Sequence, residues 1–336
     1  MDGTRTQYNP LVLLAGDVGG TKTLLGLFER ATPRPRLVAV HTYLTNTFRS
    51  FDAILDAFAR DVGAPFAVDA ASAGVAGPVV GGVARLTNIN WDVNCAHIAA
   101  HLKTPCVRLL NDLEAMALGA GVLRPDEMVE LQRGVRRDEG NAVVIAAGTG
   151  LGQAYLHRVN GRLTAMASEG GHAEFAARTD REMELVRMLR DLYGRAEVEH
   201  VLSGPGLLNL HRFTHNGRDC DAVRGVDTIE APARVSQQAL EGSCASCVDA
   251  LSMFVEAYGA EAGNLALRGV ATSGVFVGGG IAPKILPALQ DGRFIEAFRA
   301  KGAMSELAAK IPVNVILVPE AGLVGAAVAA QELAEA

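Results

Sequence analysis

The 336-residue chain predicts an α/β protein of two lobes with mixed sheets, each lobe opening on a β-meander. Three observations predict it. The length exceeds the roughly 250–300 residues at which one hydrophobic core gives way to two. Apolar runs of strand length recur in the same order in both halves, and a Gly-rich turn separates the first two runs of each half.

Residues 11–15 (LVLLA), 23–29 (TLLGLFE) and 37–43 (LVAVHTY) form the first meander. Ser50 then caps an amphipathic helix with Phe51, Ile54, Leu55, Phe58 and Val62 on one face. A strand near 67–75, a helix near 94–102, the strand CVRLL at 106–110 and the helix LEAMALGAG follow. The resulting β-β-β-α-β-α-β-α order differs from a doubly wound nucleotide fold, where helices separate every pair of strands.

The second half repeats the pattern with AVVIAA at 142–147, QAYLHRV at 153–159 and LTAMAS at 163–168. Asn160-Gly161 is a hairpin signal between the last two. A helix over 251–265, a strand at 273–278, a strand at 313–318 and the closing helix AGLVGAAVAAQEL complete the chain. Residues 217–246 show weak periodicity, and no element is predicted there. The expected division is 1–110 plus about 315–336 as a small lobe and 111–314 as a large one, with the active site in the cleft between them.

A formal net charge of −6 gives no electrostatic reason to bind a nucleic acid or an anionic membrane. No stretch approaches the ~20 apolar residues of a membrane span, and the N-terminus lacks a signal-peptide pattern. Five cysteines at irregular spacing make no disulfide framework, so a reduced, cytoplasmic setting is expected. Cys244-Ala-Ser-Cys247 has no second pair at zinc spacing. His211 and His215, like His97 and His101, stand four apart without the glutamate of H-E-x-x-H, so none of these receives a metal role.

Two loops carry the phosphate chemistry. Asp17-Val-Gly19-Gly20-Thr21-Lys22 lies between the first two strands, and Gly148-Thr149-Gly150 occupies the matching turn of the second half. Glycines let backbone N–H groups approach phosphate oxygens, and threonine hydroxyls add donors, so one loop from each lobe is expected to grip a triphosphate. Thr21 stands where a P-loop needs glycine and Gln153 where a dinucleotide loop needs one; neither template applies. Taken alone, either loop also reads as a tight turn whose glycines serve positive φ. Asp17 is a candidate to orient Mg²⁺.

Asn111-Asp112 follows an apolar strand and starts a helix, which places it where open α/β sheets bind ligands. On position alone Asn111-x-x-Glu114 reads first as a capping box. Asn111, Asp112, Glu169, His172 and Glu199 are the residue types that hydrogen-bond vicinal sugar hydroxyls.

In order along the chain, GDVGGTKT, LTNINW, LLNDLEAMALG, AAGTGLG, EGGH, VLSGPGL and VGGGIAPK resemble the motifs of the bacterial glucokinase family, over about residues 14–325. The paired meanders are similar to the duplicated ribonuclease-H-like fold of the actin and hexokinase superfamily. The resemblance implies ATP-dependent phosphorylation of glucose at its 6-hydroxyl, with Asp112 as catalytic base and Asn111, Glu169, His172, Glu199 and Asn88 at the sugar. It implies Asp17, Gly19, Gly20, Thr21 and Lys22 at the phosphates with Gly148, Thr149 and Gly150. Gly278, Gly279 and Gly280 would adjoin the adenosine, Mg²⁺ would accompany ATP, and the chain would form a homodimer. Related sugar kinases follow their EGGH-like segment with a cysteine-rich zinc site; AEFAAR follows here. A kinase for mannose, fructose or an N-acetylhexosamine would share these motifs. A sugar-sensing repressor would need an N-terminal helix-turn-helix, for which about a dozen residues leave no room.

Overall fold

The structure, a computed structural model, describes residues 11–63, 67–86, 89–159 and 161–336. Asn88 and Asn160 lie outside the described residues. The chain divides into two compact units, one running to Leu123 and taking back Glu320–Ala336, the other spanning Arg124–Pro319.

In the first unit, strands β1 (Val12–Val18), β2 (Lys22–Glu29) and β3 (Arg36–Leu44) form the expected meander, and helix α1 spans Phe51–Val62. Ser50 Oγ accepts the Ala53 N–H, as the sequence predicts for its cap. Strand β4 (Ala70–Val75) pairs parallel to β1, with every residue buried, as a central strand covered on both faces requires. A small antiparallel sheet of β5 (Val79–Val80), β6 (Val83–Arg85) and β7 (Asp92–Asn94) leads into α2 (Cys95–Leu102), β8 (Val107–Asn111) and α3 (Asp112–Ala120). The main sheet runs β3-β2-β1-β4-β8.

The second unit starts with β9 (Met128–Gln132), then β10 (Ala142–Ala147), β11 (Leu151–Val159) and β12 (Arg162–Ser168). Helices α4 (Asp180–Tyr193), α5 (Gly204–Thr214), α6 (Ala231–Leu240) and α7 (Ala245–Gly269) follow, then β13 (Gly274–Gly278), α8 (Leu286–Leu289), α9 (Arg293–Arg299), α10 (Ser305–Ala308) and β14 (Val313–Ile316). Its sheet runs β12-β11-β10-β13-β14-β9. Stripped of β9, that is the order of the first sheet, strand for strand, so the duplication read from the meanders extends to the parallel strands. Helix α11 (Ala321–Glu335) returns to the first unit and buries Leu323, Ala326, Ala327 and Ala330 against Leu13, Ala15 and Phe28.

Two expectations need correction. The first unit keeps residues 111–123, and the return falls at Glu320 instead of 315, because α3 packs on α11 while β14 pairs with β13 and β9. That helix contact depends on glycine. A Cβ on Gly325 would lie 1.7 Å from the Ala115 carbonyl oxygen, and one on Gly119 would lie 2.0 Å from that of Ala321. The second correction is α6, inside the 217–246 stretch; it is short, no side chain caps it, and it buries only Ala231, Val235, Ser236 and Ala239, which leaves a faint periodic signal.

Candidate functional site

In the first unit the parallel register sets Asp17 opposite Gly74 and Val75 opposite Asn111, so β1, β4 and β8 end side by side. Asn111 is the N-cap of α3: its Oδ1 accepts the Leu113 N–H at 2.9 Å, Glu114 Oε2 accepts the Asn111 N–H at 2.9 Å, and its Nδ2 donates to the Gly77 carbonyl at 3.2 Å. The capping box is therefore real, and it fixes the orientation in which Asn111 can meet a ligand. Asp112 follows in the first helical turn, where the helix dipole favours a carboxylate; its Oδ1 accepts the Leu113 N–H at 2.9 Å.

Asp17 responds to its neighbour. Burial, and then the negative charge of Asp112, push its carboxyl up to about 6. The carboxylate also lies against the N-terminus of α11, since a Cβ on Gly322 would stand 3.0 Å from Asp17 Oδ2. A buried carboxyl raised by a neighbouring carboxylate makes a place that a divalent cation suits, which is the donor chemistry expected of a Mg²⁺ partner at Asp17. In the loop beyond, the Gly19 N–H donates to the Lys22 carbonyl at 2.9 Å, and the side chains of Thr21 and Lys22 are exposed.

In the second unit the Gly148 N–H donates to the Gly150 carbonyl and the Gly204 N–H to the Gly148 carbonyl, both at 2.8 Å. Gly19, Gly20, Gly148 and Gly150 do not have positive φ, so the simple turn reading of these glycines is overturned. Space is what Gly150 provides: a Cβ there would lie 2.6 Å from Glu199 Oε2, the oxygen that accepts the Leu151 N–H at 2.7 Å. Gly279 is the exception, with φ +83° and its absent Cβ 2.3 Å from the Ala147 carbonyl.

A cavity of about 760 Å³ opens on this loop, lined by Gly148, Thr149, Gly204, Arg212, Gly280 and Lys284 among others. Its size is that of a nucleotide-class ligand site. Gly278 ends β13 and Gly279 stands in the turn after it, and of this glycine run Gly280 lines the cavity. The buried Tyr258 hydroxyl on α7 receives the Ala147 N–H at 3.2 Å and lies 3.2 Å and 3.3 Å from the carbonyls of Ile145 and Gly278. It ties together the two strand ends from which the cavity's Gly-rich loops spring.

The EGGH segment packs beside it. The Glu199 N–H donates to the Gly171 carbonyl at 2.9 Å, and a Cβ on Gly171 would lie 2.2 Å from the Leu151 carbonyl. His172 Nδ1 and Glu197 Oε2 are 2.9 Å apart. That bond raises the imidazole above its ordinary value, helped by the charges of Glu199, Glu197 and Glu169, and lowers Glu197. The structure thus brings Glu169, His172 and Glu199 together and adds Glu197, which the sequence reading passed over although it alternates with Glu199.

The sign of the pairing is set by both partners. The raised imidazole contributes below its unfolded value and loses that contribution as pH rises through its folded one; the lowered carboxylate contributes above its own unfolded value. The pair is therefore strongest between about pH 4.5 and pH 6.5. We expect Glu197→Gln to return the His172 titration by NMR toward about 6.5; an unmoved midpoint would show that Glu197 does not orient the ring.

A sequence model described as glucokinase matches residues 14–333. The chain belongs to the glucokinase family. A glucokinase of Nostoc sp. is 35% identical over 340 residues, covering 96% of this chain and 99% of its own. The crystal structure of a glucokinase from an Antarctic psychrotroph superposes with a TM-score of 0.86 at 30% identity, covering 98% of this chain and 100% of that one. A glucokinase of the ROK family from Streptomyces griseus, solved with glucose and AMPPNP, shares the fold at TM-score 0.63 and 22% identity, over 96% of this chain and 99% of that one. Among the described residues no helix is long and apolar enough to cross a membrane.

Proposed function

We propose that the chain transfers the γ-phosphoryl group of ATP to the 6-hydroxyl of D-glucose, giving glucose 6-phosphate and ADP, with Asp112 as the base. The observation that carries this reading is the double engagement of Glu199. Its carboxylate braces the Gly148–Gly150 loop through the Leu151 N–H while its backbone N–H holds Gly171 of the EGGH segment. One residue thereby couples a nucleotide-sized cavity to the carboxylates and imidazole suited to sugar hydroxyls.

In the proposed reaction O6 of glucose attacks the γ-phosphorus, the bond to the ADP oxygen breaks, and the O6 proton passes to the Asp112 carboxylate. Phosphoryl transfer asks little covalent work of a protein; positioning and charge compensation carry most of it. Asn111, locked by its backbone bonds, and Glu169, His172 and Glu199 orient the hydroxyls. Glycines of the two loops admit phosphate oxygens to backbone N–H groups, and Arg212 and Lys284 add positive charge at the cavity wall. Mg²⁺ bound with ATP would neutralise β- and γ-phosphate charge, with Asp17 on its oxygen shell. The homodimer enters through the family resemblance, and sedimentation of the purified chain measures it; the cytoplasmic setting stays the expectation drawn from the sequence.

Hydrogen-bonding residue types do not by themselves select an epimer, so the substrate is tested directly. In a coupled ADP assay with ATP and Mg²⁺, glucose should exceed mannose, fructose and N-acetylglucosamine in kcat/KM by at least about tenfold, equivalent to about 1.4 kcal/mol. A better second hexose would reassign the substrate and leave the phosphoryl chemistry intact.

A further inference from the structure

From residues given no role above, the fold assembles a cluster whose members the sequence scatters over 37 positions, from His211 to Cys247. His211 lies in the last turn of α5, His215 just beyond it, Cys220 in the following loop, and Cys247 in the first turn of α7. One ligand atom from each of these four residues falls within 4.8 Å of every other. We propose that His211, His215, Cys220 and Cys247 form a tetrahedral zinc site that fastens the loop between α5 and α6 to the start of α7.

The separations match that geometry. Metal–sulfur bonds near 2.3 Å and metal–nitrogen bonds near 2.05 Å give tetrahedral edges of about 3.8 Å between sulfurs and about 3.5 Å between nitrogen and sulfur. The Sγ atoms of Cys220 and Cys247 are 3.7 Å apart, His211 Nε2 is 3.2 Å from Cys220 Sγ, and His215 Nε2 is 3.9 Å from Cys247 Sγ. The sulfur separation is far beyond a disulfide bond of about 2.05 Å.

The outer contacts also suit a ligand set. His215 Nδ1 donates to the His211 carbonyl at 2.9 Å, which fixes the tautomer and leaves Nε2 with a lone pair turned toward the thiols. The two rings stack with centroids 3.7 Å apart, and His211 and Cys247 are buried. Cys244 stands alongside with its Sγ 3.4 Å from His215 Nε2. Two thiolates and two neutral imidazoles on a divalent ion sum to zero charge, which suits a site this enclosed; binding replaces the two thiol protons, which leave to solvent. Mixed sulfur and nitrogen ligation at tetrahedral spacing selects zinc over magnesium or calcium.

The test uses tag-free, full-length protein purified under reducing conditions. Elemental analysis should find about one zinc per chain, and Co²⁺ exchanged into the protein should show sulfur-to-cobalt charge transfer with the visible bands of a tetrahedral centre. Cys220→Ser and Cys247→Ser should each cut bound zinc at least about tenfold while Cys106→Ser, outside the cluster, keeps it. The cobalt spectrum of the unmutated chain needs no variant to fold. Protein that holds no zinc and gives no cobalt–thiolate band overturns the site, as does a Cys220–Cys247 disulfide in the reduced preparation.

Discussion

Replacing Asp112 with asparagine should lower kcat by about a thousandfold, inside the range a positioned general base supplies, while the glucose dissociation constant stays within about tenfold. The substitution keeps the shape of the side chain and its acceptor toward the Leu113 N–H. It removes the only feature a base must have, a carboxylate able to take the O6 proton. The fold should tolerate it, because the α3 cap is made by Asn111 and Glu114. The helix loses a first-turn charge interaction of about 0.3–1 kcal/mol, and the repulsion on Asp17 goes with it. A second readout separates catalysis from misfolding: the Asp17 carboxyl, held up at about 6 by burial and then by Asp112, should titrate lower in the variant. Turnover retained near the parent rate would remove Asp112 from the role of base.

Gly325→Ala should be the most damaging single methyl group in the first unit. An ideal Cβ there lies 1.7 Å from the Ala115 carbonyl oxygen and 2.6 Å from the Gly119 nitrogen, both backbone atoms that no rotamer change can move aside. Helices α3 and α11 would have to separate, opening the apolar packing of α11 against the sheet. Overpacking typically costs about 1–3 kcal/mol, and contact with backbone atoms of two α3 residues puts this case at about 3 kcal/mol. Denaturant unfolding measures it, and a loss under about 0.5 kcal/mol would show that the helices do not meet at that glycine. Because α3 carries Asp112, turnover should fall in the folded fraction as well. Gly148→Ala is the contrasting control for stability, since a Cβ at Gly148 meets nothing within 4 Å.

Local signals were written plainly in the sequence. The meanders, the Ser50 cap, the Asn111–Glu114 box and the strand-to-helix placement of Asp112 all depend on residues within a few positions of one another, so hydrophobic spacing and capping chemistry suffice to find them. The Gly-rich loops were legible for the same reason, although Gly150 turns out to provide room for Glu199 instead of left-handed backbone.

What the tertiary structure alone decided is long-range. Strand β9 is recognisable only through its partner β14, and residues 111–123 join the first unit because α11 returns to pack on α3. The Tyr258 hydroxyl reaches Ala147 across 111 positions, and His172 finds Glu197 across 25. The histidines and cysteines read separately as a bare i, i+4 pair and a lone C-x-x-C become one cluster only when the end of α5 meets the start of α7. A sequence records which groups are present and how near neighbours are spaced, whereas hydrogen bonding and metal ligation act over about 2–4 Å in space, a separation that only the folded chain defines.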